Sequence, residues 1–227
     1  MKEPLNRYFD AAILKPESTQ AEVRAAITAM VAARTITVCV RPCDIALALE
    51  MCRGTDTAVG CVLGFPHGDG LSECKADEAV RYVRLGVAEI DMVANYGLIR
   101  SGEWQRFERD LALVREAAKG VTLKAILETG SLSLQETGEA TRIALRVGLD
   151  FVKTSTGFGA GGATEEAVTA MVAAAQGRIR VKASGGIRTR EAAERYLALG
   201  CARLGVNYTT AAELCGVKVS EKPSGAY

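Results

Sequence analysis

The sequence predicts a closed (β/α)8 barrel, an α/β fold of the TIM-barrel type, and three observations carry that expectation. Short apolar, strand-like runs alternate eight times with amphipathic or alanine-rich helical stretches over 227 residues, slightly fewer than the ~250 of a typical barrel of this kind. Glycine stands at many helix-to-strand junctions (Gly54, Gly86, Gly120, Gly148, Gly177 and Gly200), where a helix C-cap belongs. Several strands carry ionisable residues at alternate positions, so one face is charged and the other apolar. An open doubly wound sheet is the alternative, but the phosphate-binding G-x-G-x-x-G expected after its first strand is absent.

Strands are expected at 8–13, 36–40, 58–65, 88–94, 123–128, 151–156, 179–184 and 203–207. Helices are expected at 20–33, 43–53, 72–85, 102–119, 134–147, 164–175, 190–199 and 209–214. In the first strand Phe9 and Ala11 oppose Tyr8 and Asp10; in the fourth Ile90 and Met92 oppose Glu89 and Asp91. In the fifth, Leu123, Ala125 and Leu127 oppose Lys124, Ile126 and Glu128. The sixth places Phe151, Lys153 and Ser155 on one side and Val152, Thr154 and Thr156 on the other, and Thr164 caps the helix that follows. The seventh sets Val181 and Ala183 against Arg180, Lys182 and Ser184; the eighth sets Leu204 and Val206 against Arg203, Gly205 and Asn207. Apolar faces must meet the helices, so the charged faces point into the barrel. Asp10, Asp91, Lys124, Glu128, Lys153 and Lys182 therefore share one interior, where charges are expensive unless paired or used. Either they form an ion-pair network that only holds the barrel together, or they carry chemistry at its active-site end; their concentration there favours chemistry.

With 28 basic and 27 acidic side chains the chain offers no basic field for nucleic acid or a membrane surface. No apolar run approaches the roughly 20 residues of a spanning helix, and no N-terminal stretch has the pattern of a secretory leader. Seven scattered cysteines without a CxxC pair suit buried thiols in a reducing cytoplasm. His67 is the only histidine, so neither a histidine triad nor a histidine-rich metal site can be built, and no metal or cofactor is expected. No linker or composition break divides the chain, so 1–227 reads as one catalytic domain, with 219–227 a flexible C-terminal tail.

A lone strand-end lysine ordinarily snorkels to water. Two lysines on neighbouring strands instead lower each other's proton affinity, which gives a neutral, nucleophilic amine near pH 7. Such an amine attacks carbonyls and forms a Schiff base, an electron sink for making or breaking carbon–carbon bonds; Asp91 nearby would relay protons. Amides of Gly157, Gly185 and Gly186 would form an anion nest beside a helix start.

Glu89-Ile90-Asp91-Met92-Val93, Phe151-Val152-Lys153-Thr154-Ser155-Thr156-Gly157-Phe158 and Val181-Lys182-Ala183-Ser184-Gly185-Gly186-Ile187-Arg188 resemble the signature strands of the deoxyribose-phosphate aldolase family. Leu14-Lys15-Pro16-Glu17, Gly64-Phe65-Pro66 and Gly161-Gly162-Ala163-Thr164 match it too, so the resemblance runs from about Asp10 to about Gly205. It implies a metal-free class I aldolase in which Lys153 forms the imine, Lys182 tunes it and Asp91 moves protons. Acetaldehyde and glyceraldehyde 3-phosphate would be joined to 2-deoxyribose 5-phosphate, with Asp10, Lys124, Thr156, Gly157, Gly185, Gly186 and Asn207 binding substrate. A homodimer is also implied.

The sequence departs from the family pattern where Asp10 is followed by Ala11-Ala12 in place of His-Thr, and where Val40-Arg41-Pro42 replaces Val-Asn-Pro. Gly205-Val206-Asn207-Tyr208 replaces a Gly-x-Ser-Ser close. Fewer hydroxyl donors at the phosphate end imply relaxed dependence on phosphate. A Schiff-base aldolase with a different or unphosphorylated acceptor and a catalytically idle binding barrel are the competing readings. Arg41 either binds an anionic substrate group or pairs with Glu50 or Asp44. Tyr227 is either disordered or a proton donor delivered to the barrel mouth. His67 is expected to be a solvated loop residue and Trp104 to serve packing.

Overall fold

The computed structural model describes residues 3–220. Eight parallel strands close on themselves in chain order: β1 (Phe9–Ile13), β2 (Thr37–Val40), β3 (Ala58–Leu63), β4 (Glu89–Val93), β5 (Thr122–Ile126), β6 (Phe151–Lys153), β7 (Arg180–Ser184) and β8 (Arg203–Asn207). Helices α1 (Gln20–Ala32), α2 (Ile45–Cys52), α3 (Ser72–Leu85), α4 (Tyr96–Arg100) and α5 (Trp104–Ala117) cover one half of the barrel. The other half is covered by α6 (Leu134–Val147), α7 (Glu165–Ala175), α8 (Arg190–Ala198) and α9 (Tyr208–Leu214). The (β/α)8 expectation therefore holds, and the open sheet does not.

Local chemistry sets the element ends. Capping boxes start α1 (Thr19 with Glu22) and α6 (Ser133 with Glu136), each satisfying two orphan backbone donors. Gly86 and Gly148 end α3 and α6 in left-handed conformations, which glycine adopts without steric cost. Two local differences from the sequence reading have physical causes. The short α4, capped by Asn95, occupies the link between β4 and α5. The sixth strand ends at Lys153 because Thr154 turns its hydroxyl into the ladder, donating to the Ser184 carbonyl (2.9 Å) and accepting from the Ser184 amide (2.9 Å).

The apolar strand faces (Ala11, Ile90, Met92, Leu123, Ala125, Val152, Val181, Leu204) are buried against the helices, as alternation requires. The barrel interior holds the charged residues instead. At its lower end Phe151 is packed beneath Arg180 and Arg203, whose guanidinium carbons lie 4.1 and 5.7 Å from the ring centroid. Among the described residues no helix is long and apolar enough to cross a membrane, and all seven cysteines are free thiols.

Candidate active site

Register assembles the site. Pairing places Asp91 of β4 opposite Lys124 of β5, and Lys153 of β6 opposite Lys182 of β7. The Lys153 ammonium contacts Asp91 Oδ2 at 2.9 Å, and Lys182 reaches the same oxygen at 2.7 Å and Asp10 Oδ2 at 2.5 Å. Lys124 binds Asp10 (2.9 Å), Asp91 Oδ1 (2.8 Å) and Glu89. Arg203 closes the lower edge against Asp10 (2.6 Å) and Glu89 (3.1 Å).

Four cations (Lys124, Lys153, Lys182, Arg203) thus share three carboxylates (Asp10, Glu89, Asp91), so full ionisation leaves this cluster with one positive charge in excess. Lys153 is the cation that releases it most easily. Among the described residues its only carboxylate partner is Asp91, which it shares with two other lysines. Burial lowers its pKa, Asp91 opposes the fall, and the Lys182 charge adds to it. Burial also disfavours the charge on Lys182 and on Lys124, but their carboxylates outweigh it and hold both above the ordinary lysine value. Asp91 is held well below the carboxylate range by Lys124, Lys153 and Lys182, against the opposing effect of burial, and Asp10 is lowered in the same way. The mutual depression expected of the two lysines is therefore one-sided: Asp10 secures the proton of Lys182, and only Lys153 is driven toward the free amine.

Above this layer a cavity of about 200 Å³ opens at the C-terminal ends of the strands. Lys153, Lys182 and Asp10 lie in its lining, and Thr156, Gly157, Gly185, Gly186 and Asn207 line it toward the mouth. The three glycines have φ of 84°, 86° and 79°, a left-handed backbone that glycine adopts without steric cost. Asn207 spends its carbonyl oxygen on α9, accepting from the Thr209 amide (3.0 Å) and hydroxyl (2.8 Å).

Two expected binders do not reach the cavity. Lys124 is the hub beneath it, its ammonium committed to three carboxylates. Arg41 pairs with Asp44 (2.7 Å) and donates to the carbonyls of Lys15, Pro16 and Ser18, so of its two readings the pairing is the one realised. Tyr208, the first residue of α9, is buried in the apolar core and does not line the cavity. His67 is exposed and Trp104 packs against the core, as expected. Tyr227 lies outside the described residues.

The lining also includes residues that strand alternation did not bring forward as binders: Cys39, Lys15, Phe158 and the exposed rim residue Arg188. Cys39 was legible as an inward position of the second strand; burial pushes its thiol up to about 11. Phe158 stacks edge-on against Phe65, ring centroids 5.1 Å apart, which fixes one wall of the mouth. Among the described residues no group of three or more His, Cys, Asp or Glu is placed to hold a metal ion.

A closed barrel that presents a buried, deprotonation-prone lysine to its cavity, beside a carboxylate and a second, charged lysine, defines an enzyme of the lysine-imine, class I aldolase type. The chain belongs to the DeoC/LacD family of aldolases, whose family model matches residues 6–203. It is 38% identical to the deoxyribose-phosphate aldolase of Streptococcus sanguinis, over 98% of this chain and 99% of that one. It is 37% identical to the deoxyribose-phosphate aldolase of Thermoanaerobacter sp., over 95% of each. Among solved structures it superposes on the aldolase QR15 with a TM-score of 0.87 at 35% identity, covering 92% of this chain and 94% of the other.

Proposed function

We propose that the protein reversibly cleaves 2-deoxyribose 5-phosphate to acetaldehyde and glyceraldehyde 3-phosphate through an imine on Lys153. The charge imbalance of the buried cluster carries this reading. The one cation in surplus is the one that lines the cavity with a single shared carboxylate, so the free amine arises where a carbonyl can reach it. In the synthetic direction its lone pair adds to the acetaldehyde carbonyl, water leaves, and the resulting iminium yields a methyl proton to give the enamine. The enamine carbon then joins the aldehyde carbon of the acceptor, and hydrolysis returns the amine. Asp91, 2.9 Å from Lys153 and 2.7 Å from the charged Lys182, stands where protons pass in the carbinolamine and enamine steps. Lys182 keeps a positive charge beside the imine throughout. At the mouth, the Gly157, Gly185 and Gly186 amides and the Arg188 guanidinium suit a phosphate. The reading includes small-molecule aldehyde and sugar-phosphate partners, a cytoplasmic setting and a homodimer.

Borohydride reduction in the presence of acetaldehyde tests the reading. Peptide mapping is expected to find the two-carbon adduct on Lys153; an adduct on Lys182 or Lys124 overturns the assignment, and no adduct at all supports the idle barrel. Comparing 2-deoxyribose 5-phosphate with 2-deoxyribose as substrates then separates a phosphate-dependent enzyme from one with an unphosphorylated acceptor.

A further inference from the structure

Glu128 is the one member of the predicted charged interior that stands outside the ion-pair cluster. It follows β5 and is 2% exposed, yet its carboxylate does not line the cavity. Its backbone is left-handed (φ 56°, ψ 58°), an unfavourable conformation for a residue with a side chain. Oε1 is buried without a hydrogen-bond partner among the described residues, which is also unfavourable. Two such features at one residue call for something that holds it there.

Two hydrogen bonds from Thr156 supply it. Oε2 accepts from the Thr156 hydroxyl (2.5 Å) and the Thr156 amide (3.2 Å), and that hydroxyl accepts from the Phe158 amide (3.0 Å). Thr156, Gly157 and Phe158 all line the cavity, so the stretch that forms one side of the anion nest hangs on this carboxylate. Gly159 then crosses directly over it: a Cβ there would lie 2.9 Å from Glu128 Cδ. The far end of the same loop is anchored on β7. A Cβ on Gly162 would lie 2.5 Å from the Gly185 carbonyl oxygen, which accepts from the Ala163 amide at 3.1 Å. Between those anchors Gly130 and Gly161 meet backbone to backbone, a Cβ on Gly130 falling 3.3 Å from the Gly161 Cα. The loop is therefore gripped at one end by Glu128 and at the other by Gly185, itself part of the nest.

We propose that Glu128 is a positioning residue that holds Thr156, Gly157 and Phe158 against the Gly185–Gly186 turn and so sets the geometry of the anion end of the cavity, without touching the imine centre. This rests on the aldolase reading for what the anion is, but not for the grip itself. Its signature is a split between the two ends of the site. Glu128→Ala should raise KM for 2-deoxyribose 5-phosphate about tenfold, the scale of one lost charge-assisted hydrogen bond acting on binding. Exchange of acetaldehyde methyl protons with solvent deuterium, which needs only the lysine end, should stay within about twofold of native, because the alanine leaves every contact of Lys153 in place. Glu128→Gln keeps one acceptor oxygen and should show a smaller rise, about threefold.

Gly159→Ala provides a second route, since it presses on the carboxylate from an exposed loop position and should give the same split even where Glu128→Ala does not fold. An unchanged KM in these variants overturns the proposal. So does a parallel fall of KM performance, proton exchange and melting temperature, which would reduce Glu128 to a structural role. Titration with inorganic phosphate keeps the test separate from the reaction. Should the native protein form no imine with acetaldehyde, the aldolase reading fails, while weaker phosphate binding by Glu128→Ala than by native still upholds the grip and equal binding overturns it.

Discussion

Lys153 and Lys182 differ by a single carboxylate. Both touch Asp91 Oδ2, but only Lys182 also holds Asp10, and that contact decides which lysine keeps its proton. Removing Lys182 acts on Lys153 twice in the same direction. It deletes the neighbouring positive charge, and it leaves Asp91 with less countercharge, so the carboxylate holds the Lys153 proton more firmly. Lys182→Leu is therefore expected to raise the Lys153 pKa and to move the rising limb of the kcat/KM against pH profile toward higher pH. Each unit of displacement lowers the free-amine fraction at pH 7 by about tenfold. A limb that stays in place while the rate falls would mean that Lys182 acts on the imine alone and does not tune its neighbour.

At the scale of elements, what matters is how loops are tied to strand ends. Arg41, at the end of β2, gathers the segment after β1 through the carbonyls of Lys15 and Pro16 (2.8 Å each) and Ser18 (3.2 Å), while buried Asp44 holds its Nε. Arg41→Ala would leave Asp44 and those carbonyls without their donor, a loss of about 2–4 kcal/mol that urea unfolding would read. Because that segment carries Leu14 and Lys15 into the cavity wall, KM should rise as well, with imine trapping intact. Arg41→Lys should rescue little, since one ammonium cannot span four acceptors in a plane. A stability loss under 1 kcal/mol would contradict the clamp. Arg41 also shows where the sequence stops being informative. Alternation made the inward residues of β1, β4, β5, β7 and β8 legible, because a period of two with charges on one face admits one orientation in a barrel. Lys153 was legible as the candidate imine lysine through its neighbours in the motif. Arg41's pairing with Asp44 was legible, but its other acceptors are backbone carbonyls some twenty-five residues away, and carbonyls leave no trace in side-chain pattern. Glu128 was legible as inward but not as left-handed, since no glycine or asparagine marks the turn. The sixth strand was read too long because Thr154 replaces a ladder bond with its own hydroxyl.

At the scale of the whole molecule, the barrel encloses an ionic layer in place of an apolar plug, and its stability depends on pH through that layer. Asp10 and Asp91 have lowered folded pKa values, so the stability they contribute is complete above the unfolded value near 4. It is lost as pH falls through the folded values. Lys124 and Lys182 have raised values, so their contribution is complete below about 10.4 and is lost as pH rises through the folded values. Lys153 has the opposite sign: its folded value is lowered, so burying it opposes folding at every pH where the unfolded side chain is charged. Two substitutions of the same size should therefore diverge. Lys124→Met removes the countercharge of three buried carboxylates and should cost about 3–5 kcal/mol at pH 7, the range for breaking a buried pair. It should also raise the pKa values of Asp10 and Asp91, so its acid unfolding should begin at higher pH than in the native protein. Lys153→Met removes the surplus cation, leaves Asp91 with Lys124 and Lys182, and should be neutral or stabilising by on the order of 1 kcal/mol while abolishing imine formation. Urea unfolding of both variants at pH 7 and pH 5 measures the difference. If Lys153→Met destabilises as much as Lys124→Met, the layer carries no surplus charge, and the account of why Lys153 is the amine that reacts is wrong.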